Sequence, residues 1–333
     1  MRRPAQSLLP RWRGFNLLEG FTTKSSGDFR EEDFEWIAEW GFNWVRLPLC
    51  YTLWTSDCDA AKINEWWLQH IDRAIECARR RGLHVCLNFH RAPGYSVNRE
   101  RKEPYNLWKD AAACEAFCRH WRVFAKRYRR IPSRELSFNL VNEPGAIDEA
   151  TMSRADHERV VRAAVAAIRE VDAERLILAD GMGWGNIPCM ELADLEIAQS
   201  CRGYAPFGLT HYRAHWVDSE GWPEPEWPGK DRGGEYWDRK RLERHYAPWI
   251  ELARHGVGVH CGEAGAYHHT PHAVVLAWMR DLLTVLKKAN IGWALWNFRG
   301  SFGVLDSCRE DVDYEDWNGH KLDRKLLELL QEF

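Results

Sequence analysis

Two glutamates are the strongest candidates for chemistry in this chain. Glu143 stands between Asn142 and Pro144 after one apolar run, and Glu263 ends another such run. A hydrophobic core has no use for carboxyl groups at these positions unless they are paired or solvated. Two carboxyl groups facing each other across a cleft suit the cleavage of a glycosidic bond, because one donates a proton to the leaving oxygen while the other attacks the anomeric carbon. The pattern therefore favours chemistry on a sugar.

Other polar and aromatic residues stand at the ends of further apolar runs. They are Arg46, His90, Asn142, Tyr204 with the nearby His211, and Trp296. An arginine near the attacking carboxylate would keep it ionised, and an asparagine beside the acid is able to bond a sugar 2-hydroxyl as charge develops on the ring. A tryptophan offers a flat apolar floor for a sugar ring. If the runs are neighbouring strands, these side chains converge on one cleft.

Eight short strand-like runs would have to position these residues. They cover residues 13–19, 44–49, 84–89, 135–141, 175–180, 196–204, 257–263 and 293–298. Amphipathic helical runs alternate with them over residues 30–40, 63–81, 111–130, 152–171, 241–255, 272–289 and 323–333. Only the connection after residue 180 lacks a long helical pattern. A short helix is predicted there near residues 190–195.

Eight alternating units predict the α/β class and a (β/α)8 TIM barrel. A doubly wound open sheet is the competing architecture, but it usually carries a Gly-x-Gly-x-x-Gly turn, which this sequence lacks. We expect residues 1–333 to form a single catalytic domain, with its core at about 11–330 and no appended binding module. Glu143 and Glu263 then end strands four and seven, which face each other across the mouth of the barrel.

Composition narrows the classes of function. The chain has 333 residues, and 46 basic against 49 acidic side chains give a net charge of −3, so no general attraction to nucleic acid is expected. No run approaches the roughly 18 apolar residues of a membrane helix. Most of the 19 tryptophans are expected in the core. Six of them fall in predicted loops and are candidates for sugar contacts: Trp54, Trp108, Trp184, Trp216, Trp222 and Trp227.

The cysteines and histidines predict neither a disulfide framework nor a metal site. Six of the ten cysteines lie in strand or helix patterns, as buried free thiols of a reducing compartment do: Cys50, Cys77, Cys86, Cys114, Cys118 and Cys261. The dense groups, His268-His269-x-x-His272 and Cys114-x-x-x-Cys118, lack a four-ligand zinc spacing. We expect no cofactor. Because residues 1–13 lack the apolar stretch of a secretory signal, we expect a cytoplasmic protein, or a secreted one if a leader has been removed.

Six short segments follow one another in a single register along the chain. They are RGFNL at 13–17, GFNWVRLP at 41–48, NFH at 88–90, NEP at 142–144, GEAG at 262–265 and GWALWNF at 292–298. Together they resemble glycoside hydrolase family 5, in the clan of retaining barrel glycosidases. Asn-Glu-Pro alone is a weak signal, but the resemblance extends from about residue 11 to residue 330.

The resemblance implies a role for each matching residue. Glu143 would be the acid/base and Glu263 the nucleophile of a double displacement, with no metal or cofactor. The subsite that holds the distorted sugar would be lined by Arg46, His90, Asn142 and Trp296. A retaining enzyme of this kind would hold its two carboxyl groups about 5–5.5 Å apart, whereas about 6.5–9.5 Å would indicate inversion.

One position departs from the family pattern. The family usually has His-x-Tyr at the end of strand six, and the corresponding residues here are Arg202 and Tyr204. Either Arg202 becomes the cationic partner of Glu143, or the later His211 takes the place of the missing histidine. A second register would put His211 and Tyr212 at the strand end. An arginine beside the acid/base would lower its pKa and move the pH optimum downward.

The substrate is less determined than the reaction. We expect a β-linked glucan or gluco-oligosaccharide, with endo-β-1,4-glucanase activity first because it is the commonest activity that the resemblance implies. β-Glucosidase, exo-glucanase, β-mannanase and β-mannosidase activities are alternatives. A catalytically silent sugar-binding barrel is the alternative from another class. Sugar identity, linkage, endo or exo action, transglycosylation and oligomeric state stay open at this point.

Overall fold

Eight parallel strands close into a barrel in the computed structural model, which describes residues 9–24, 26–55, 62–98 and 103–333. The strands are β1 Arg13–Asn16, β2 Trp44–Cys50, β3 His84–Ala92, β4 Leu136–Asn139, β5 Leu176–Asp180, β6 Ala198–Gly203, β7 Val259–Ala264 and β8 Gly292–Leu295. Each strand pairs with the next one along the chain, and β8 pairs with β1 to close the ring. The predicted (β/α)8 TIM barrel is confirmed, and each of its strands falls on a predicted run.

Within the described ranges, seven longer helices surround this barrel. They are α1 Glu31–Glu39, α2 Glu65–Arg80, α3 Ala111–Tyr128, α4 Arg154–Arg169, α5 Arg239–Arg254, α6 His272–Lys288 and α7 Arg324–Gln331. The connection from β5 to β6 has the 3-10 helix Met190–Leu195 in place of a long helix, as predicted. Short helical turns at Met182–Gly185 and Phe207–Thr210 follow β5 and β6. In the loops that the structure describes, three short antiparallel pairings form: Tyr95–Ser96 with the end of β3, Gly229–Lys230 with Tyr236–Trp237, and Glu315–Trp317 with His320–Leu322.

Local sequence explains where several helices begin. Asn64 caps α2 by accepting from the backbone of Trp66, and Ser153 forms a reciprocal capping box with Asp156 at α4. At α6 the capping position is occupied by Pro271, which has no side-chain acceptor.

Among the described residues, buried apolar side chains form three clusters, and two of them shape the barrel itself. One large cluster lies between the barrel wall and the surrounding helices. A smaller cluster, which includes Trp12, Trp44 and Cys86, closes the bottom of the barrel. There the ring of Trp44 stacks on His84 with centroids 4.7 Å apart and planes at 2°. This closed floor leaves the opposite end, where the strands terminate, free for a polar site.

The described cysteines are free thiols. Seven of these nine are buried, Cys77 is half-buried and Cys308 is exposed. Within the described ranges no three His, Cys, Asp or Glu side chains are grouped closely enough to hold a metal ion. In the same part of the chain, no helix combines the length and apolar character needed to cross a membrane.

Candidate active site

Polar side chains from seven of the eight strands, and from the loop after β8, gather at the C-terminal mouth of the barrel. The set consists of Asn16, Arg46, His90, Asn139, Asn142, Glu143, Asp180, Arg202, Tyr204, Glu263 and Trp296. Most of these side chains are buried. Burial of so many polar groups is tolerable only where they satisfy one another. The predicted side chains therefore do converge on one face of the barrel. Hydrogen bonds between them fix the position of each group.

Glu263 is held by two arginines and one tyrosine. Nη1 of Arg46 donates to its Oε1 at 2.7 Å, and Nη2 of Arg202 lies 3.3 Å from the same oxygen. The hydroxyl of Tyr204 donates to Oε2 at 3.1 Å. Three donors therefore surround this carboxyl group. Burial and the neighbouring carboxylates raise the pKa of Tyr204 well above its ordinary value, so its hydroxyl keeps the proton that it donates.

Glu143 has a different environment, although it shares a guanidinium with Glu263. Nε of Arg202 donates to its Oε1 at 2.9 Å. Burial, followed by the charge of Glu263, raises the pKa of Glu143 to about 8. The contribution of Arg202 is downward, as the sequence predicted, but it is outweighed. Desolvation and carboxylate repulsion together exceed the attraction to one arginine, so the pKa of Glu143 lies above its ordinary value although Arg202 lowers it.

The backbone of Glu143 is also constrained. Its φ is +48°, in the left-handed region that is uncommon for residues other than glycine. The backbone N–H donates to Oδ2 of Asp180 at 2.9 Å, and the carbonyl oxygen accepts from the hydroxyl of Tyr95 at 2.6 Å. Two side chains, one at the end of β5 and one after β3, thus hold this residue in a conformation that aims its carboxyl group into the mouth.

The two arginines form one network through Asn142. Its amide oxygen accepts from Nη2 of Arg46 and from Nη2 of Arg202, both at 2.8 Å. Arg46 also donates to Asn16 at 2.9 Å and to Asn139 at 3.0 Å. With both guanidiniums on its oxygen, the amide nitrogen of Asn142 faces the other way, toward His90.

Arg202 has further partners from its own strand and from β5. It donates through Nη1 to the hydroxyl of Ser200 at 2.9 Å and through Nη2 to Oδ2 of Asp180. Gly262 on β7 makes room for this group, since a Cβ there would lie 2.5 Å from Oγ of Ser200 and 3.2 Å from Nη1 of Arg202. A side chain at position 262 would therefore force the Ser200 hydroxyl to move and would crowd the guanidinium that contacts both glutamates.

His90 and Trp296 form the apolar side of the mouth. Their ring centroids lie 5.4 Å apart, and Phe21 packs edge-on against both rings. Nε2 of His90 is 3.4 Å from the amide nitrogen of Asn142, and its Nδ1 has no hydrogen-bond partner in the described structure. Burial, followed by the charges of both arginines, lowers the pKa of His90 well below its ordinary value, so the ring is neutral. These predicted site residues do lie together.

His211 occupies a different position from the one that a substitute histidine would need. Its ring packs edge-on against Tyr204 at 5.1 Å and stacks on Phe207 at 4.1 Å, and its Nδ1 is 2.9 Å from the hydroxyl of Thr210. Burial lowers its pKa to about 3. The register with Arg202 in β6 and Tyr204 directly after it is the observed one. Arg202 therefore takes the place beside Glu143, while His211 supports the ring of Tyr204.

Sequence reasoning missed four residues of this network. Asp180, Asn139 and Asn16 end β5, β4 and β1, and Tyr95 follows β3. Asp180 carried the same signal that identified the others, a polar residue at the end of a predicted apolar run, whereas Asn16 and Asn139 lie inside the predicted runs 13–19 and 135–141. Tyr95 gave no such signal, because its contact with Glu143 depends on how the loop after β3 folds back.

The tryptophans of the predicted loops divide between packing and exposure. Trp54 and Trp108 are buried, and the indole of Trp227 donates to Asp281 at 3.0 Å. Trp184 and Trp216 are about half exposed, at 50% and 51%. Trp184 lies next to Gly145, two residues after Glu143. Trp216 packs edge-on against His211, whose ring contacts Tyr204. Both exposed rings therefore flank the mouth.

Comparison with known proteins identifies relatives with related chemistry. The family model described as cellulase (glycosyl hydrolase family 5) matches residues 10–301. Endoglucanase C of Acetivibrio thermocellus is 29% identical over 86% of this chain and 88% of its own length. A crystal structure described as that of a glycoside hydrolase superposes with a TM-score of 0.93 at 40% identity, covering 97% of this chain and 99% of the other. Thermotoga maritima Cel5A, solved in complex with mannotriose, gives a TM-score of 0.75 at 25% identity, covering 98% of this chain and 100% of the other.

Proposed function

The chain belongs to glycoside hydrolase family 5, and from that premise we propose that Glu143 and Glu263 cleave a β-1,4-linked glucan with retention of configuration. The observation that carries this proposal is the shared guanidinium. Arg202 contacts Glu143 and Glu263 at 2.9 and 3.3 Å, so the two carboxyl groups stand on either side of one buried cation. Their environments differ in the sense that an acid and a nucleophile require.

In the first step, a carboxylate oxygen of Glu263 attacks the anomeric carbon and forms a glycosyl ester. The bond from that carbon to the leaving oxygen breaks, and its electron pair accepts the proton of Glu143. The pKa of about 8 keeps this proton on Glu143 at neutral pH. Since Arg202 donates to Oε1 of Glu143, the other oxygen is free to hold the proton that is transferred.

In the second step, the ionised Glu143 takes a proton from a water molecule. The water oxygen attacks the anomeric carbon from the face that the leaving group vacated, and the ester bond to Glu263 breaks. Two inversions give net retention. The charge that Glu143 carries between the steps is stabilised by Arg202, which remains within hydrogen-bonding distance of it.

The aromatic residues around the mouth support a sugar chain as the substrate. Trp296 and His90 place two rings side by side on one wall of the mouth, with centroids 5.4 Å apart, and these rings offer a packing surface to the reacting sugar. The exposed rings of Trp184 and Trp216 provide further stacking surfaces beyond the reacting sugar. More than one stacking position favours internal cleavage of a chain, and endoglucanases are among the relatives.

A panel of aryl β-glycosides and β-1,4-linked gluco- and manno-oligosaccharides tests this proposal. The parent protein should release β-anomeric products, seen by NMR before mutarotation, and Glu263→Gln should lose turnover by about 10⁴-fold or more. Glu328→Gln, at an exposed position on α7, is the matched control and should retain full activity.

The same panel identifies the alternatives. Faster cleavage of mannosides than of glucosides would show that the substrate is a mannan and not a glucan. Release of single sugars from chain ends would show that the enzyme is exo-acting and does not cleave internal bonds. α-Anomeric products would overturn the nucleophile assignment, and sugar binding without any turnover would support the silent barrel.

A further inference from the structure

Asp180 is a buried carboxylate to which the proposed reaction assigns no step. It ends β5 and is 1% exposed. Oδ1 accepts from the amide of Asn139 at 2.9 Å, whereas Oδ2 accepts from the backbone N–H of Glu143 at 2.9 Å and from Nη2 of Arg202. Nη2 of Arg46 lies 4.0 Å from the same Oδ2. One carboxylate thus touches both the backbone of the proposed acid and the guanidinium that contacts that acid.

The charges around Glu143 balance only when Asp180 is counted. The ionisable groups that face this cluster are Tyr95 and His90 from β3 and its loop, Arg46 from β2, Asp180 from β5, Arg202 and Tyr204 from β6, and Glu263 from β7. The tyrosines and the histidine are neutral, because burial raises the pKa of Tyr95 and of Tyr204 and lowers that of His90. Two arginines then stand against Asp180 and Glu263, which leaves the cluster neutral with Glu143 protonated.

Without Asp180, the same cluster would carry a net positive charge next to Glu143. A buried excess charge is costly, and ionisation of Glu143 would remove it. An uncompensated arginine at hydrogen-bonding distance lowers the pKa of a carboxyl group by about 1–3. The proposed acid would then lose its proton before it could protonate a leaving group at neutral pH.

We propose that Asp180 is a positioning residue that allows an arginine to stand beside the acid/base, because it neutralises Arg202 and holds the backbone of Glu143. The Asp180–Arg202 pair then behaves as an overall neutral neighbour of Glu143, as an uncharged histidine would. This inference rests on the proposed function, since it concerns the proton that Glu143 donates. It explains why Arg202 is compatible with an acid in this barrel.

The test separates proton donation from the rest of the reaction. An oligosaccharide has a poor leaving group and needs the proton, whereas a 2,4-dinitrophenyl glycoside of the same sugar has a leaving group that departs without it. Asp180→Asn keeps the shape of the side chain and an oxygen that can accept from the backbone of Glu143. For the oligosaccharide, the basic limb of kcat/KM should move by about one pH unit or more toward acid, with about a tenfold loss above neutral pH. For the dinitrophenyl substrate, the rate at which the glycosyl ester forms should change by less than about threefold.

The double variant Asp180→Asn/Arg202→His provides the rescue. It removes both charges at once and should return the basic limb of the oligosaccharide profile toward that of the parent. It also remains informative if Asp180→Asn alone does not fold. Asp33→Asn is the control for loss of a buried aspartate, because Asp33 pairs with Arg299 outside this network. In Asp33→Asn, any loss of activity should be the same for the oligosaccharide and for the dinitrophenyl glycoside.

Two results would overturn the inference. One is an unchanged basic limb in folded Asp180→Asn, and the other is an equal loss on both substrates together with no rescue in the double variant. The proposed function fails separately, if Glu143→Gln shows no dependence on the leaving group or if Glu263→Gln remains active.

Discussion

Glu143 and Glu263 are the same residue type in the same cleft, and their neighbours give them different properties. Glu263 accepts hydrogen bonds from Arg46 and Tyr204 and lies close to Arg202, so its charge has three donors around it. Glu143 has one side-chain donor and faces the charge of Glu263. Desolvation is the largest influence on the pKa of Glu143, whereas Glu263 is the carboxylate with more donors around it.

The raised pKa of Glu143 predicts the alkaline limit of activity. A protonated Glu143 is required to protonate the leaving oxygen, and the fraction that is protonated falls as the pH rises through about 8. We expect kcat/KM for an oligosaccharide to be maintained at neutral pH and to fall above pH 8 or so. Initial rates between pH 5 and about 10 check this. A basic limb well below neutral pH would mean that Arg202 outweighs burial after all.

Removal of the proton donor should affect substrates according to their leaving groups. Glu143→Gln should slow oligosaccharide cleavage by about 10²–10⁴-fold, the usual contribution of a general acid. Formation of the glycosyl ester from a 2,4-dinitrophenyl glycoside should be far less affected, as pre-steady-state release of dinitrophenol would show. Equal losses on both substrates would contradict the assignment of Glu143 as the acid.

At the scale of secondary structure, strand ends and the loops that follow them place these groups. The pairing of β7 with β6 shifts register between Cys261 and Glu263. Such a shift re-aims side chains beside it, and it falls directly before the residue whose carboxylate meets Arg46. Loops after β5 and β6 carry Trp184 and Trp216 beside the mouth. The strands thus position the reacting groups, and the loops provide the surfaces for a longer substrate.

These two loops predict a dependence on chain length. Trp184→Ala and Trp216→Ala should each raise KM for long β-1,4-oligosaccharides by about 3- to 10-fold, because each removes one stacking surface. KM for a short aryl glycoside should change little. Trp66→Ala on α2, another exposed tryptophan, is the control. The same KM change for short and long substrates would indicate a general effect of the substitution instead of lost stacking.

In the whole molecule, the residues expected to stabilise the fold and those expected to act on the substrate lie at opposite ends of the barrel axis. The stacked rings of Trp12, Trp44 and His84 lie at the N-terminal end, and the charged network lies at the C-terminal mouth. Burial lowers the pKa of His84 to about 3, so this floor remains uncharged. Residues at the two ends should therefore respond differently to substitution.

The cytoplasmic location and the single-domain assignment stay predictions.

Trp44→Ala tests the role of the barrel floor. Loss of this fully buried side chain should reduce the free energy of unfolding by about 3–5 kcal/mol, measured by urea denaturation. The folded fraction should keep the kcat of the parent, because the site is at the other end of the barrel. If the chain is one domain, fluorescence and circular dichroism should report the same transition. A large loss of kcat without destabilisation would contradict this separation.

The sequence by itself determined the barrel and the two glutamates at its mouth. Alternating apolar runs and amphipathic helices are local patterns, and polar residues at run ends can be read without coordinates, so Glu143, Glu263, Arg46, His90, Asn142 and Trp296 were all predictable. The choice between Arg202 and His211 stayed open in the sequence, since it depends on the register of β6. Only the tertiary structure decided that Arg202 bridges both glutamates and that Asp180 balances its charge. It also decided the net direction of the Glu143 pKa, because that pKa is a balance of burial and distances between residues far apart in the chain.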